Sequence, residues 1–165
     1  MSRIRPAAVE GNAFQKMMGH RPEIVEKWFA LDSSMRFGGL LEPALKEEVR
    51  RSLAEGIGCR FCASLGEPDP ATRDKRTALA VAFAETVFAN FDDLHALDDE
   101  VFEVLKAEFS EPEIVELAIW TLFMIAGQAF GALMKVRRST PEELQEYMDW
   151  RAAGEAEAKA AKAAE

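Results

Sequence analysis

The chain has 165 residues, enough for one domain with its own core and hardly enough for two. Hydrophobic residues at 48% and charged residues at 30% give the balance of a soluble globular protein, which sets aside disordered and fibrous classes. A net charge of −9 repels phosphate, and the basic pairs Arg50-Arg51 and Arg137-Arg138 are too short to offset it, so no nucleic-acid partner is expected.

Arg3 and Arg5 are not followed by an apolar stretch of signal-peptide length, so a cytoplasmic, reducing location is expected. There, a lone cysteine pair points to redox chemistry or metal binding rather than to a structural staple.

Helical signals run through nearly the whole chain, and no stretch alternates as a strand would. Residues 1–22 read as a leader with one short helix, Ala13 to Met18. Pro22 opens a helix to about Leu31, with Ile24, Trp28 and Leu31 on one face, and Phe37-Gly38-Gly39 breaks the chain. The next helix starts near Pro43 and turns Leu45, Val49 and Leu53 inward, leaving Lys46, Glu47, Arg50 and Arg51 on its other faces. Gly56 and Gly58 then permit a kink or close packing just before Cys59-Arg60-Phe61-Cys62.

The run Gly66-Glu67-Pro68-Asp69-Pro70 is a stop and restart. Asp69 reads as a cap and Pro70 as the first residue of a helix to about Asn90. Leu97 to Phe109 forms a helix with Asp98 as cap and Val101, Val104, Leu105 and Phe109 inside. Ser110 and Glu113 have capping-box spacing and launch a strongly apolar helix. From Leu117 to Val136 only Thr121, Gln128 and Lys135 are polar, close to membrane-spanning length. Gln128 near its middle, its Gly and Ala content and the lack of a second such span read better as the centre of a bundle or an oligomer interface. No membrane partner is expected. Ser139 or Thr140 caps a last helix through Trp150, and residues 151–165 form an Ala/Glu/Lys tail expected to fray. The fold class is therefore all-α: one bundle of six or seven helices over residues 23–150.

Chemistry concentrates at Cys59 and Cys62. Residues three apart share a helix face at a separation that a disulfide accepts, so the two can cycle between dithiol and disulfide. At a helix N-terminus the dipole and free amides would favour thiolate, and Arg60 adds a positive charge. Two buried small hydrophobes are the plainer alternative. Zinc lacks a full ligand set, because there is no second cysteine pair and His20 and His95 lie in polar surroundings. No metal or cofactor is expected. Glu47 precedes Cys59 by twelve residues, about 18 Å along an unbroken helix, and by itself reads as a solvated helix-face carboxylate. Only a break at Gly56–Gly58 would fold it back toward the thiols. Met17, Met18, Met124 and Met134 read as core filling.

The stretch LLEPALKEEVRRSLAEGIGCRFCASLG resembles the core motif of the carboxymuconolactone decarboxylase / alkylhydroperoxidase D-like (AhpD-like) family. That motif has a leucine-rich start, a glutamate twelve residues before the first cysteine, C-x-x-C, and a histidine four residues further on. The segments TALAVAFAETVFAN, LDDEV and FSEPEIVELAIWTLFMIAG follow in the family's order, so the resemblance spans about residues 20–136. It implies an all-helical homo-oligomer, trimer or hexamer, that acts on a small-molecule substrate and a reductant. It also implies that Cys62 is the attacking thiol toward a hydroperoxide, Cys59 the resolving thiol and Glu47 the relay carboxylate.

The sequence departs from this pattern at the proton relay. Gly66 stands at the histidine position, and Phe61 stands between the cysteines where His or Tyr is frequent. The resemblance thus implies a peroxiredoxin-type oxidoreductase whose peroxide step is weakened while dithiol–disulfide exchange survives. A non-catalytic oligomeric scaffold or small-ligand binding protein is the alternative. A lactone decarboxylase is a further one, against which the retained cysteine pair stands.

Overall fold

In the computed structural model, which describes residues 1–163, every regular element among the described residues is a helix. Its elements are α1 (Ala13–Met18), α2 (Pro22–Phe37), α3 (Pro43–Ile57), α4 (Arg60–Ala63), α5 (Lys75–Ala89), α6 (Glu100–Lys106), α7 (Glu111–Leu133) and α8 (Pro141–Lys162), with 3₁₀ turns at Pro70–Thr72 and Leu94–Ala96. Eight helices replace the six or seven expected. The C-x-x-C is a separate helix, because Gly58 adopts φ 77° and ends α3 there.

The centre of the bundle is α3, packed between α5 and α7 with α4 folded against its end. Its Leu45, Val49 and Leu53 meet Val81, Ala84 and Val87 of α5 and Leu117, Trp120 and Met124 of α7 in one core. The Trp120 indole N–H donates to the Lys46 carbonyl at 2.9 Å, fixing α7 to α3. Leu105 of α6 and Phe109 close the same core.

Helix starts follow their caps. Ser110–Glu113 forms the expected capping box, Thr140–Glu143 forms another, and Asn12 with Gln15 makes a third at α1. Two helices start later than expected. Residues Pro70–Thr72 form only a 3₁₀ turn, and α5 starts after Asp74, whose carboxylate accepts the Thr77 N–H at 2.7 Å. The intervening Arg73 is extended and pairs with Glu48 of α3 at 2.9 Å, which interrupts the helix. The helix expected over Leu97–Phe109 shortens to Glu100–Lys106, and Val104 faces solvent.

Polar burial produces the largest corrections. Helix α2 runs on to Phe37, and its Ile24 and Leu31 are exposed; its buried residues are Asp32 and Arg36. On α3, Lys46, Glu47, Glu48 and Arg50 are all buried. Lys46 Nζ donates to the carbonyls of Met35 and Gly38 and pairs with Glu116 at 2.5 Å, so its ammonium caps the end of α2. The tail is helical as far as Lys162. Helix α8 continues to Lys162 because Arg151 reaches Glu47, Gly154 lies against the Phe37 ring and Lys162 pairs with Glu42 at 3.3 Å. Residues 164–165 of that tail lie outside the described residues.

α7 is long and apolar enough to cross a membrane by length and composition. Its inner face carries Leu117, Trp120, Met124 and Gln128 against the bundle, while Val115, Ile119 and Leu122 form an exposed outer stripe.

Candidate active site

The left-handed Gly58 turns the chain so that α4 returns alongside the end of α3. An added Cβ at Gly58 would meet nothing within 4 Å, so the glycine is needed for its φ and not for space. Cys59 caps α4: its Sγ accepts the Cys62 N–H at 3.2 Å. The two cysteines are joined as a disulfide with Cα atoms 5.2 Å apart. Cys59 is fully buried, whereas Cys62 keeps a small opening and lines a cavity of about 350 Å³.

The floor under the pair is Gly131 of α7, where an added Cβ would stand 2.5 Å from Cys59 Sγ. The roof is α1, whose Ala13, Phe14 and Met17 pack into one cluster with Cys59, Cys62, Phe61 and Val136. The Phe14 ring lies 5.8 Å from Phe61 and 5.5 Å from Phe130. The segment read as a leader thus supplies part of the thiol environment.

Glu47 is buried, not solvated. It accepts from Arg50 Nε and Nη2 at 2.9 Å each, Arg51 Nε at 3.0 Å, Arg36 Nη1 at 3.1 Å and the Tyr147 hydroxyl at 2.8 Å. Arg151 Nη1 stands 3.4 Å away. Arg50 Nη1 also donates to the Cys62 carbonyl at 2.8 Å, so one guanidinium joins Glu47 to the backbone of Cys62. The break at Gly58 makes this possible. A chain that continued α3 would carry the cysteines out of reach.

The electrostatics follow from this packing. Burial alone would raise the Glu47 pKa, but the charges of Arg50, Arg36 and Arg151 prevail and hold it at about 2. Burial drives the Tyr147 phenol upward, only partly opposed by Arg50 and Arg36, so the hydroxyl stays protonated. Neither group can take a proton near neutral pH. The imidazole positions offer no substitute. Gly66 has φ 143°, and the space beside it holds Arg51, whose Nε would lie 3.0 Å from an added Cβ. Phe61 is buried against Phe14. His20 and His95 are exposed, and His20 Nε2 contacts the Arg5 carbonyl.

Of the three residues singled out in the sequence, Cys59 and Cys62 are bonded and Glu47 is one guanidinium away. Arg36, Tyr147 and Arg151 were missed. Arg50 and Arg51 were also missed as partners of Glu47, although their positions three and four residues after it on one helix were a signal that could have found them. Arg36 and Tyr147 come from distant helices, and no local pattern marks them. Among the described residues no three His, Cys, Asp or Glu side chains gather as metal ligands.

No protein-family profile matches the sequence, and no curated protein matches it. The fold, however, has solved counterparts. The chain is similar to the crystal structure of an "alkylhydroperoxidase AhpD core: uncharacterized peroxidase-related protein" from Ralstonia eutropha JMP134, with a TM-score of 0.66 and 16% identity over 81% of this chain and 79% of that one. It is similar also to an "uncharacterized peroxidase-related protein" from Silicibacter sp. TM1040, with a TM-score of 0.64 and 16% identity over 82% and 80% of the two chains. The chain therefore has the all-α, AhpD-like fold.

Proposed function

We propose that the chain is a thiol–disulfide oxidoreductase in which Cys62 is the attacking thiol and Cys59 the resolving one, with hydroperoxide reduction as a slower activity of the same pair. The observation that supports this most is the asymmetry of the pair, with Cys62 opening on a cavity and Cys59 sealed behind it. In the peroxide reaction the Cys62 thiolate attacks the terminal oxygen of R–O–OH, the O–O bond breaks, and Cys62 becomes a sulfenic acid while the alkoxide takes a proton from water. Cys59 then attacks the Cys62 sulfur, the disulfide forms and water leaves. The pair supplies both electrons, and an external thiol restores it.

Glu47 serves as a positioning residue. At a pKa of about 2 it stays ionised and anchors Arg50, which holds the Cys62 carbonyl. Without a base near neutrality, Cys62 loses the help that speeds thiolate formation, about 10²–10⁴-fold in general acid–base catalysis. Weak peroxidase activity beside competent disulfide exchange follows. The neighbours' "peroxidase-related" titles agree with the coarse class.

Free-thiol titration against pH, before and after a mild hydroperoxide, tests the reading. A thiol lost to peroxide and recovered with dithiothreitol supports it, and thiols inert to both would sink it. In that event the cavity favours a small-ligand binding protein, which should tolerate Cys59→Ser and Cys62→Ser without loss of ligand. We also propose a homo-oligomer built on the outer stripe of α7.

A further inference from the structure

The cavity before Cys62 has walls of two kinds. Trp28, Phe29, Phe61, Phe123, Tyr147 and Trp150 supply aromatic faces, with Trp28 stacked on Phe123 at 4.6 Å. The charged groups in its wall are largely cancelled: Arg36 pairs with Asp32 and Glu47, Arg50 with Glu47, and Glu143 with Arg137. The exposed Glu146 at the rim adds a negative charge. Such a chamber favours uncharged, ring-sized ligands and disfavours anions.

Two neighbouring residues of α7 shape it. A Cβ at Gly127 would stand 3.2 Å from Trp28 Cζ2, so glycine lets the indole lie over the helix and keeps the chamber open. Gln128 lines the same chamber and is buried. Its Nε2 donates to the Arg50 carbonyl at 2.9 Å, while its Oε1 has no partner among the described residues. Buried acceptors are ordinarily satisfied, and this one belongs to a side chain that borders the cavity. Gln128 stands one turn before Gly131, on which the disulfide rests, and Arg50 touches both Gln128 and Cys62.

We propose that Gly127 and Gln128 determine what Cys62 attacks: Gly127 admits an uncharged, ring-sized organic group, and Gln128 Oε1 accepts the hydrogen of its terminal hydroxyl. The inference rests on Cys62 as the attacking thiol. The hydroperoxide proton donated to Gln128 orients the terminal oxygen toward sulfur, and the bonds then form and break as described above.

Two measurements on the full chain test this. With dithiothreitol as reductant, kcat/KM for cumene hydroperoxide should exceed that for hydrogen peroxide and for the anionic linoleic acid hydroperoxide by about tenfold or more, the scale of discrimination by an apolar pocket. In Gly127→Leu that ratio should fall toward one. In wild-type protein, 2-phenylpropan-2-ol should quench Trp28 and Trp150 fluorescence at lower concentration than its methyl ether, which has no donor, and Gln128→Met should erase the difference. Equal rates on all three peroxides, or equal binding of alcohol and ether, would overturn the proposal. Turnover of none of the peroxides with the alcohol preference intact would overturn the peroxide chemistry and leave the ligand selectivity standing. The alcohol–ether comparison needs no variant, so a misfolded Gly127→Leu does not decide the outcome.

Discussion

Glu47 shows how a single side chain can be informative for reasons that its local sequence hides. Its carboxylate balances Arg36, Arg50, Arg51 and, through a longer contact, Arg151. Glu47→Gln keeps the shape and removes the charge, leaving buried guanidiniums without their partner. Removing one member of a buried pair costs about 3–5 kcal/mol, so urea denaturation should show a loss of that order. The pH dependence carries an independent signature. Glu47 titrates near 4.5 when unfolded and at about 2 when folded, so its contribution is complete above the unfolded value and disappears as pH falls from about 4.5 toward 2. The drop corresponds to about 3 kcal/mol. Wild-type stability should decline across that window, and Glu47→Gln should lack this part of the decline. A parallel decline in both proteins would contradict the assignment.

At the scale of the elements, the site depends on where α3 stops. Gly58 has room for a side chain but a backbone conformation that L-residues resist, at a cost of about 1–2 kcal/mol. Gly58→Ala should therefore lower the unfolding free energy measured in urea by an amount in that range, and Gly58→Asn should recover part of it, because asparagine tolerates the left-handed region. A Gly58→Ala protein as stable as wild type would mean that α4 can be held back against α3 by packing alone. Helix α1 belongs to the same element-level design. It roofs the disulfide with Phe14 and is tied to α8 by the Ala13 N–H donating to Glu143 at 2.9 Å.

For the whole molecule, the outer face of α7 is one apolar surface that the single chain leaves unburied. Val115, Ile119 and Leu122 lie on one stripe at helical spacing, each more than 40% exposed. We propose this stripe as the association surface of the homo-oligomer. Ile119→Asp should shift the mass measured by light scattering from the oligomer to the monomer while leaving the helical circular dichroism signal in place. A monomeric wild-type protein would remove the oligomer from the proposal.

Much of this architecture was legible from the chain itself. Pro and Gly punctuation, the Ser110 and Thr140 boxes and the apolar periodicity are local, short-range effects, and they marked an all-helical bundle with the cysteine pair placed just after a break. The same local logic failed where burial is decided at a distance. Glu47 reads as solvated until Arg36 of α2 and Tyr147 of α8 converge on it, and the Ala/Glu/Lys tail reads as loose until Phe37 and Glu47 give it something to hold. Periodicity reports which face of a helix is apolar. Only the tertiary structure decides whether charges on the other face meet water or each other, because that depends on partners a hundred residues away. The sequence by itself determined the fold and the two sulfurs, whereas packing decided that Cys62 faces a cavity, that Arg50 links it to Glu47, and that Arg51 fills the space beside Gly66.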